Sequence, residues 1–330
     1  LHGIPEIAEV VAIDPRRDCL ARLSRAFPGL ATSTELESSL DRVDALVIAT
    51  PPRTHAGLAL TALAAGKSVL VEKPLATSTA EARRMIAEAS ARSLVLMVGH
   101  TFEYNAAVWK LRELIQNDEL GHIYYVDSAR LNLGLYQPDV NVIWDLAPHD
   151  ISIFNFILSS RPISVQAWGA KHGHRYLEDV VYLRLRYTDP DVTANIHVSW
   201  LDPCKVRRVT VVGSRKMVVY NDLAPEERIR IFDKGVVAPE DGARPQEIPM
   251  SYRYGEIRAP FLSFEEPLAV QDREFASCVL TGSQPRTNGD NGLAVVAALE
   301  CADISLQTGN PMPLGELAGL DRSGLELVEV

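Results

Sequence analysis

Two side chains stand out for the chemistry they could do. Lys73 sits in Glu72-Lys73-Pro74, directly after the apolar run Val69 to Val71. Desolvation at the end of a buried strand lowers a lysine's pKa and suits it to proton transfer. Pro74 is a candidate for a cis bond that aims Lys73 into a cleft. The competing reading of Lys73 alone is a solvated lysine in a turn. His149 lies in Trp144-Asp145-Leu146-Ala147-Pro148-His149-Asp150, before the apolar run Ile151 to Leu158. Pro148 suits the first turn of a helix, so His149 is expected near the positive end of the helix dipole. That field favours neutral imidazole, the form a general base needs. Asp145, four residues earlier, is placed to orient the ring or the substrate. A lone histidine is more often structural, and it is the lysine, acid and histidine together that point to proton transfer.

The elements that must position these residues alternate in the first half of the chain. Short apolar runs followed by helical patterns mark βαβ units and a parallel sheet. Strands are expected at Glu9 to Ile13, Ala45 to Ala49, Val69 to Val71 and Leu94 to Val98. Helices are expected at Arg17 to Phe27 and at Leu58 to Ala65, the latter capped by Gly66. Another opens on the capping-box pair Ser78 and Glu81 and runs to Ala91, and a fourth covers Ala107 to Ile115. The carboxyl ends of parallel strands are where such sheets bind ligands. They carry Asp14, Thr50-Pro51-Pro52, Glu72-Lys73-Pro74 and Gly99-His100 to one edge.

From Ile123 onward strands dominate. Val180 to Tyr187 alternates, with Leu183, Leu185 and Tyr187 on one face and Tyr182, Arg184 and Arg186 on the other. Further strands are expected at Thr193 to Trp200, Arg208 to Val212, Met217 to Tyr220 and Ile229 to Phe232. Residues 235–260, with four prolines and three glycines, read as a long loop. Two helices follow, at about Val270 to Leu280 and Gly292 to Gln307. The fold expected is α/β: a Rossmann-type parallel sheet over residues 1–121, then an α+β domain over 122–330 with an open-faced, largely antiparallel sheet.

A dinucleotide-binding domain opens with a Gly-x-Gly-x-x-Gly turn and places an acid on the ribose about 20 residues later. Asp14, ending a strand before a helix, fits that acid; its other reading is a simple strand end and helix cap. Counting back about 20 residues passes Leu1. The expectation is therefore a chain lacking its first strand and glycine loop, which binds NAD poorly. Asp14 favours NAD by repelling a 2′-phosphate, while Arg16 and Arg17 keep NADP open.

Composition narrows the remaining classes. With 330 residues, 47% apolar and 23% charged, the chain is long enough for two ordinary domains. A formal charge of −10 and the lack of a Lys/Arg block argue against nucleic acid as the partner. No apolar run reaches the ~20 residues of a membrane helix. Cys19, Cys204, Cys278 and Cys301 have no metal-ligand spacing and read as reduced, mostly buried thiols.

The order Asp14-Pro15, Thr50-Pro51-Pro52 with His55, Glu72-Lys73-Pro74, then Asp145 with His149, resembles the glucose-fructose oxidoreductase/inositol dehydrogenase (Gfo/Idh/MocA) family over nearly the whole chain. The resemblance implies an NAD(P)-dependent sugar dehydrogenase in which Lys73, His149 and Asp145 form the catalytic group. It implies that Asp14, Thr50, Pro51, His55, Glu72 and Lys73 lie along the cofactor. Tyr104, Asn105, Arg130 and Asn132 would contact substrate. Asn141 to Ile153 looks most like members that oxidise nucleotide-linked amino sugars in polysaccharide synthesis. The alternatives are a free-sugar or inositol dehydrogenase, and a dinucleotide-binding regulator without catalysis. A cytoplasmic homo-oligomer, assembled through the C-terminal sheet, is implied as well. One departure is visible: the acid that members often carry two or three residues after the histidine is replaced here by Ile151 or Ser152, with Asp150 adjacent.

Overall fold

The computed structural model describes residues 1, 3–134, 136–137, 140–173, 175–237 and 251–315. Its parallel half runs β1 (Val11–Ile13), α1 (Arg17–Ala26), β2 (Ala31–Ser33), α2 (Glu37–Leu40), β3 (Ala45–Ile48), α3 (His55–Ala64), β4 (Ser68–Val71), α4 (Thr79–Ala91) and β5 (Leu96–Val98). It continues with α5 (Ala106–Gln116), β6 (Ile123–Leu133), α6 (Val142–Leu158), β7 (Ser164–Ala170), β8 (Val180–Thr188), β9 (Asp191–Ser199) and β10 (Leu201–Gly213). Last come β11 (Met217–Asn221), β12 (Ile229–Val237), β13 (Ser251–Arg258), α7 (Pro267–Thr281), α8 (Gly289–Thr308) and β14 (Met312–Pro313).

The chain forms two compact units: Leu1–Thr101 with Glu266–Val296, and Phe102–Glu265 with the chain from Ala297 onward. This differs from the expected division at Gly121. Helix α5 lies against α6 and β11, so it groups with the strand-rich unit.

In the first unit β1 pairs with β2, and β3, β4 and β5 pair in that order; every pairing is parallel. Strands β4 and β5 are buried throughout, whereas β1 and most of β3 are half-buried. Among the described residues β1 bonds only to β2 and β3 only to β4, which leaves one ladder edge of each unpaired. Strand β5 is covered by the returning segment. Val98 donates its N–H to the Thr287 carbonyl, and the Thr287 hydroxyl donates to the Val98 carbonyl. A Cβ on Gly292 would stand 2.7 Å from Val98 and 2.8 Å from Leu75, so glycine there lets α8 lie directly on the strand.

Local signals set the helix ends of this unit. Gly66 takes φ +75°, and the bonds Gly66 N–H to Leu63 and Lys67 N–H to Ala62 close α3 in the Schellman pattern. Ser78 accepts from Glu81 N–H at 3.2 Å and caps α4. The Glu81 carboxylate turns back to Thr77 rather than to Ser78. Strand β2 and helix α2 were not among the expected elements; at three and four residues they are too short for a periodic signal.

The second unit is built on a nine-stranded sheet in the order β13-β12-β11-β10-β6-β9-β8-β7-β14, antiparallel except for β6 with β9. Alternation holds in β8, where Val181, Leu183, Leu185 and Tyr187 are buried and Tyr182, Arg184 and Arg186 are exposed. Helix α6 covers the buried face, lying against β6, β8 and β9. The opposite face is open. On it Trp168, Tyr182 and His197 stack across three strands, with ring centroids 4.5 and 3.9 Å apart. The expected loop over 235–260 is corrected in part: β12 runs to Val237 and β13 occupies Ser251–Arg258 as its antiparallel partner. Residues 238–250 lie outside the described residues. The four prolines of this span, Pro239, Pro245, Pro249 and Pro260, fall outside both strands, so the overall composition masked two pairing segments free of proline.

Candidate functional site

Strand ends build the first cluster. Asp14 follows β1, and its carboxylate accepts from the Arg16 N–H at 2.8 Å and from the Arg16 guanidinium at 3.2 Å. The guanidinium bond first, then the backbone N–H, hold this carboxyl below the usual carboxylate range. Thr50, exposed after β3, shares a 2.7 Å hydrogen bond with the Thr54 hydroxyl. His55 opens α3 and is buried. Its ring nitrogens stand 2.8 Å from the carbonyl oxygens of Thr50 and Pro74, and which of the two accepts the ring N–H depends on the tautomer. His55 therefore ties the β3 loop to the β4 loop.

Glu72 and Lys73 follow β4, are half-buried, and lead into a cis Lys73–Pro74 bond. Parallel register pairs Val71 with Val98, which sets Glu72 beside Gly99 and Lys73 beside His100. A Cβ on Gly99 would meet the Glu72 carboxylate at 3.1 Å and its Cα at 3.2 Å, so glycine leaves room for the acid to lie across the strand end. His100 is 1% exposed, and among the described residues neither ring nitrogen has a hydrogen-bond partner. Burial, then the charge on Lys73, push its pKa down to about 3, and the ring is neutral.

Helix α6 carries the second cluster. Asn141 caps it, accepting from the N–H groups of Ile143 and Trp144 at 3.1 and 3.4 Å, and its amide donates to Asp303 at 2.8 Å. This cap places the helix start six residues ahead of the expectation. Pro148 is an interior residue, and His149 lies two turns in, beyond the reach of the terminal dipole. The expected dipole effect on His149 is corrected accordingly.

Along α6 only Asp145, Leu146, His149 and Asn155 are partly exposed; the other residues are buried. Asp145 and His149, four apart, share one face of the helix. The Asp145 carboxylate accepts from the Trp200 indole N–H at 2.9 Å. Asp150 is buried and takes the Arg130 guanidinium by two bonds, 2.7 and 3.3 Å long. Burial opposes the Arg130 charge, and Asp150 more than offsets that opposition. The Phe102 ring lies 4.7 Å beneath the same guanidinium and meets the His149 ring edge-on at 5.1 Å.

The expected substrate residues are placed as follows. Arg130 is committed to Asp150. Tyr104 is buried, and the buried Asn105 caps α5 by accepting from Ala107 N–H at 2.8 Å. Asn132 is half-buried on β6. Asp14, Thr50, Pro51, Glu72 and Lys73 fall at strand ends of the first unit, and His55, opening α3, faces the backbone carbonyls of Thr50 and Pro74. Several residues carried no sequence signal. Phe102 and Glu103 lie in a connecting turn, and Trp200 closes a strand run; their roles rest on contacts far along the chain.

The protein belongs to the GFO/IDH/MocA oxidoreductases. The family's sequence model described as an oxidoreductase family with an NAD-binding Rossmann fold matches residues 5–100, and its C-terminal domain matches residues 108–219. Among the relatives is the inositol 2-dehydrogenase of Rhizobium meliloti (strain 1021), 26% identical over 86% of this chain and 88% of that protein. Another is the UDP-N-acetylglucosamine 3-dehydrogenase of Acidithiobacillus ferrooxidans, 34% identical over 44% of each. Two of the curated relatives are matched over only about half their length, 51% and 44%. A crystal structure from Magnetospirillum magnetotacticum MS-1, of an oxidoreductase by assignment, superposes with a TM-score of 0.75 at 30% identity. It covers 91% of this chain and 92% of that one. No described helix is long and apolar enough to cross a membrane. Among the described residues no group of His, Cys, Asp and Glu is arranged for a metal. All four cysteines are free thiols, Cys278 and Cys301 buried, Cys204 exposed and Cys19 between.

Proposed function

We propose that the protein moves hydride between a secondary alcohol of a sugar or nucleotide-linked sugar and nicotinamide, with Lys73 and His149 handling the hydroxyl proton. The observation that carries this reading is the pair Asp145 and His149, one turn apart among the four partly exposed residues of a largely buried helix, in a chain whose Lys73 follows a fully buried strand. An acid and an imidazole partly exposed one turn apart on a largely apolar helix are suited to meet a ligand.

The strand-end groups suit a dinucleotide: the Asp14 carboxylate accepts from ribose hydroxyls, and the Thr50 hydroxyl and Lys73 ammonium offer donors. When bound, NAD supplies the hydride acceptor. In the oxidising direction the substrate's C–H leaves as hydride and its O–H proton passes to the Lys73/His149 pair, so a ketone forms. Asp145, fixed by Trp200, holds a carboxylate one turn before His149. The Asp14 carboxylate favours NAD, and Arg16, paired with it, lowers the barrier to a 2′-phosphate.

Among substrates we favour a nucleotide-linked amino sugar, supported by the Asn141 to Ile153 segment and the UDP-N-acetylglucosamine relative. Turnover of UDP-N-acetylglucosamine and of myo-inositol with NAD, followed by absorbance of reduced nicotinamide, separates the choices. Activity on the nucleotide sugar is expected, and activity on inositol alone would replace that substrate with the polyol. The open face bearing Trp168, Tyr182 and His197 is our choice for self-association. Trp168→Glu is expected to lower the mass seen by light scattering, and an unchanged mass would rule that face out.

A further inference from the structure

We propose that Glu103 and Phe102 are positioning residues for His149, acting from the turn that follows His100; the inference rests on the reading of His149 given above. The turn is a single 3-10 segment, Thr101–Tyr104. From it the Glu103 carboxylate accepts from the Ser152 hydroxyl at 2.5 Å, and both residues are 1% exposed. Ser152 stands three residues after His149, on the same side of α6. Phe102, the neighbour of Glu103, meets the His149 ring edge-on and underlies Arg130, whose guanidinium holds Asp150. Three residues within one turn of the helix, His149, Asp150 and Ser152, are thus gripped from outside.

Pro148 explains why outside support falls here. It has no N–H, so the bond to the Trp144 carbonyl is missing immediately before His149, and the helix is weakest at that turn. A buried carboxylate is a costly brace, since an apolar pair would fill the same space without losing hydration. Its return is orientation: a carboxylate–hydroxyl bond has one length and direction, whereas apolar packing permits sliding. Glu103 also supplies a carboxylate near the helix position where this chain has serine. The acid comes from a different element, 49 residues earlier in the chain.

The test uses protein labelled with 15N-histidine, with His149 assigned by its absence in His149→Asn. Ser152→Ala and Glu103→Leu are expected to shift and broaden the His149 ring signals, because the ring then samples more than one orientation. Glu103→Gln, which still accepts the Ser152 hydroxyl, should restore a single sharp set. In turnover, Ser152→Ala is expected to lower kcat about tenfold with KM within about twofold, the pattern of a misplaced reacting group. His149 signals identical to wild type in both Ser152→Ala and Glu103→Leu would overturn the inference, even if stability had fallen. Loss of the underlying reading looks different: His149→Asn would then turn over normally, whatever the signals show.

Discussion

The strand ends of the first unit and helix α6 of the second hold their polar residues in opposite ways. At the strand ends most partners are near in sequence, with the His55 bond to the Pro74 carbonyl, across 19 residues, as the exception. Arg16 bonds to Asp14, Thr54 to Thr50, and Lys73 N–H to Glu72. On α6 the partners are remote: Arg130 reaches Asp150 across 20 residues, Glu103 reaches Ser152 across 49, Trp200 reaches Asp145 across 55, and Asp303 reaches Asn141 across 162. The first arrangement follows from where a parallel strand stops. The second exists only once the sheet, the turn and the helix have packed. The lesson is that one part of the candidate site depends on local backbone and the other on tertiary structure, so they should fail differently when perturbed.

The largest expected effect breaks the remote kind. Asp150→Ala leaves the Arg130 guanidinium buried without its partner, which costs about 3–5 kcal/mol. Trp109, Trp144, Trp168 and Trp200, all of the chain's tryptophans, lie in the second unit, so urea unfolding followed by tryptophan fluorescence reports that unit alone. A shift of less than about 1 kcal/mol, the usual worth of an exposed pair, would remove α6 from the tertiary side of the comparison.

An intermediate effect concerns His100, which sits at a strand end but is as buried as anything on α6. Its folded pKa of about 3 lies below the 6.5 of an unfolded histidine. The unfolded chain therefore binds the extra proton, and stability is full above pH 6.5 and lost as pH falls toward 3. The loss is at most about 1.4 kcal/mol per pH unit. His100→Leu should flatten this acid limb, read as hydrogen exchange of the β4 and β5 amides between neutral and acid pH. An acid limb as steep as wild type would show that His100 does not carry it.

The smallest effect falls on the local, exposed kind. Arg16→Ala should leave the melting temperature unchanged, because its bond with Asp14 is at the surface. It should raise the preference for NAD over NADP by several-fold, since the bare Asp14 carboxylate then repels a 2′-phosphate without compensation. An unchanged preference would separate Asp14 from cofactor choice.

Much of the first unit was legible because its signals are local. Apolar runs ending in Asp14, Thr50 and Glu72-Lys73 give strand ends by themselves, and Gly66 and Ser78 mark helix ends by their side chains. The alternation of β8 was equally readable, as it depends on burial of one face. Helix α6 was not. Pro148 pointed to a helix start, and the Asn141 cap, with its amide on Asp303, moved that start by six residues. The resemblance placed Arg130 among the substrate contacts, and nothing near it in the sequence shows that Asp150 takes its guanidinium. Glu103 gave no signal because one acid in a short turn resembles any solvated loop residue. Pairing across strands likewise turned part of the expected 235–260 loop into β12 and β13.

The most direct test of the account is turnover of UDP-N-acetylglucosamine with NAD by the protein and by its Lys73→Met and His149→Asn variants, with NAD affinity measured by calorimetry on each. Each substitution is expected to lower kcat by about 10²–10⁴-fold while NAD affinity stays within a few-fold. The double variant should be little worse than either single one, because the two groups serve one proton transfer. Turnover at the wild-type rate in both single variants, with NAD bound, would contradict the assignment of the proton to Lys73 and His149.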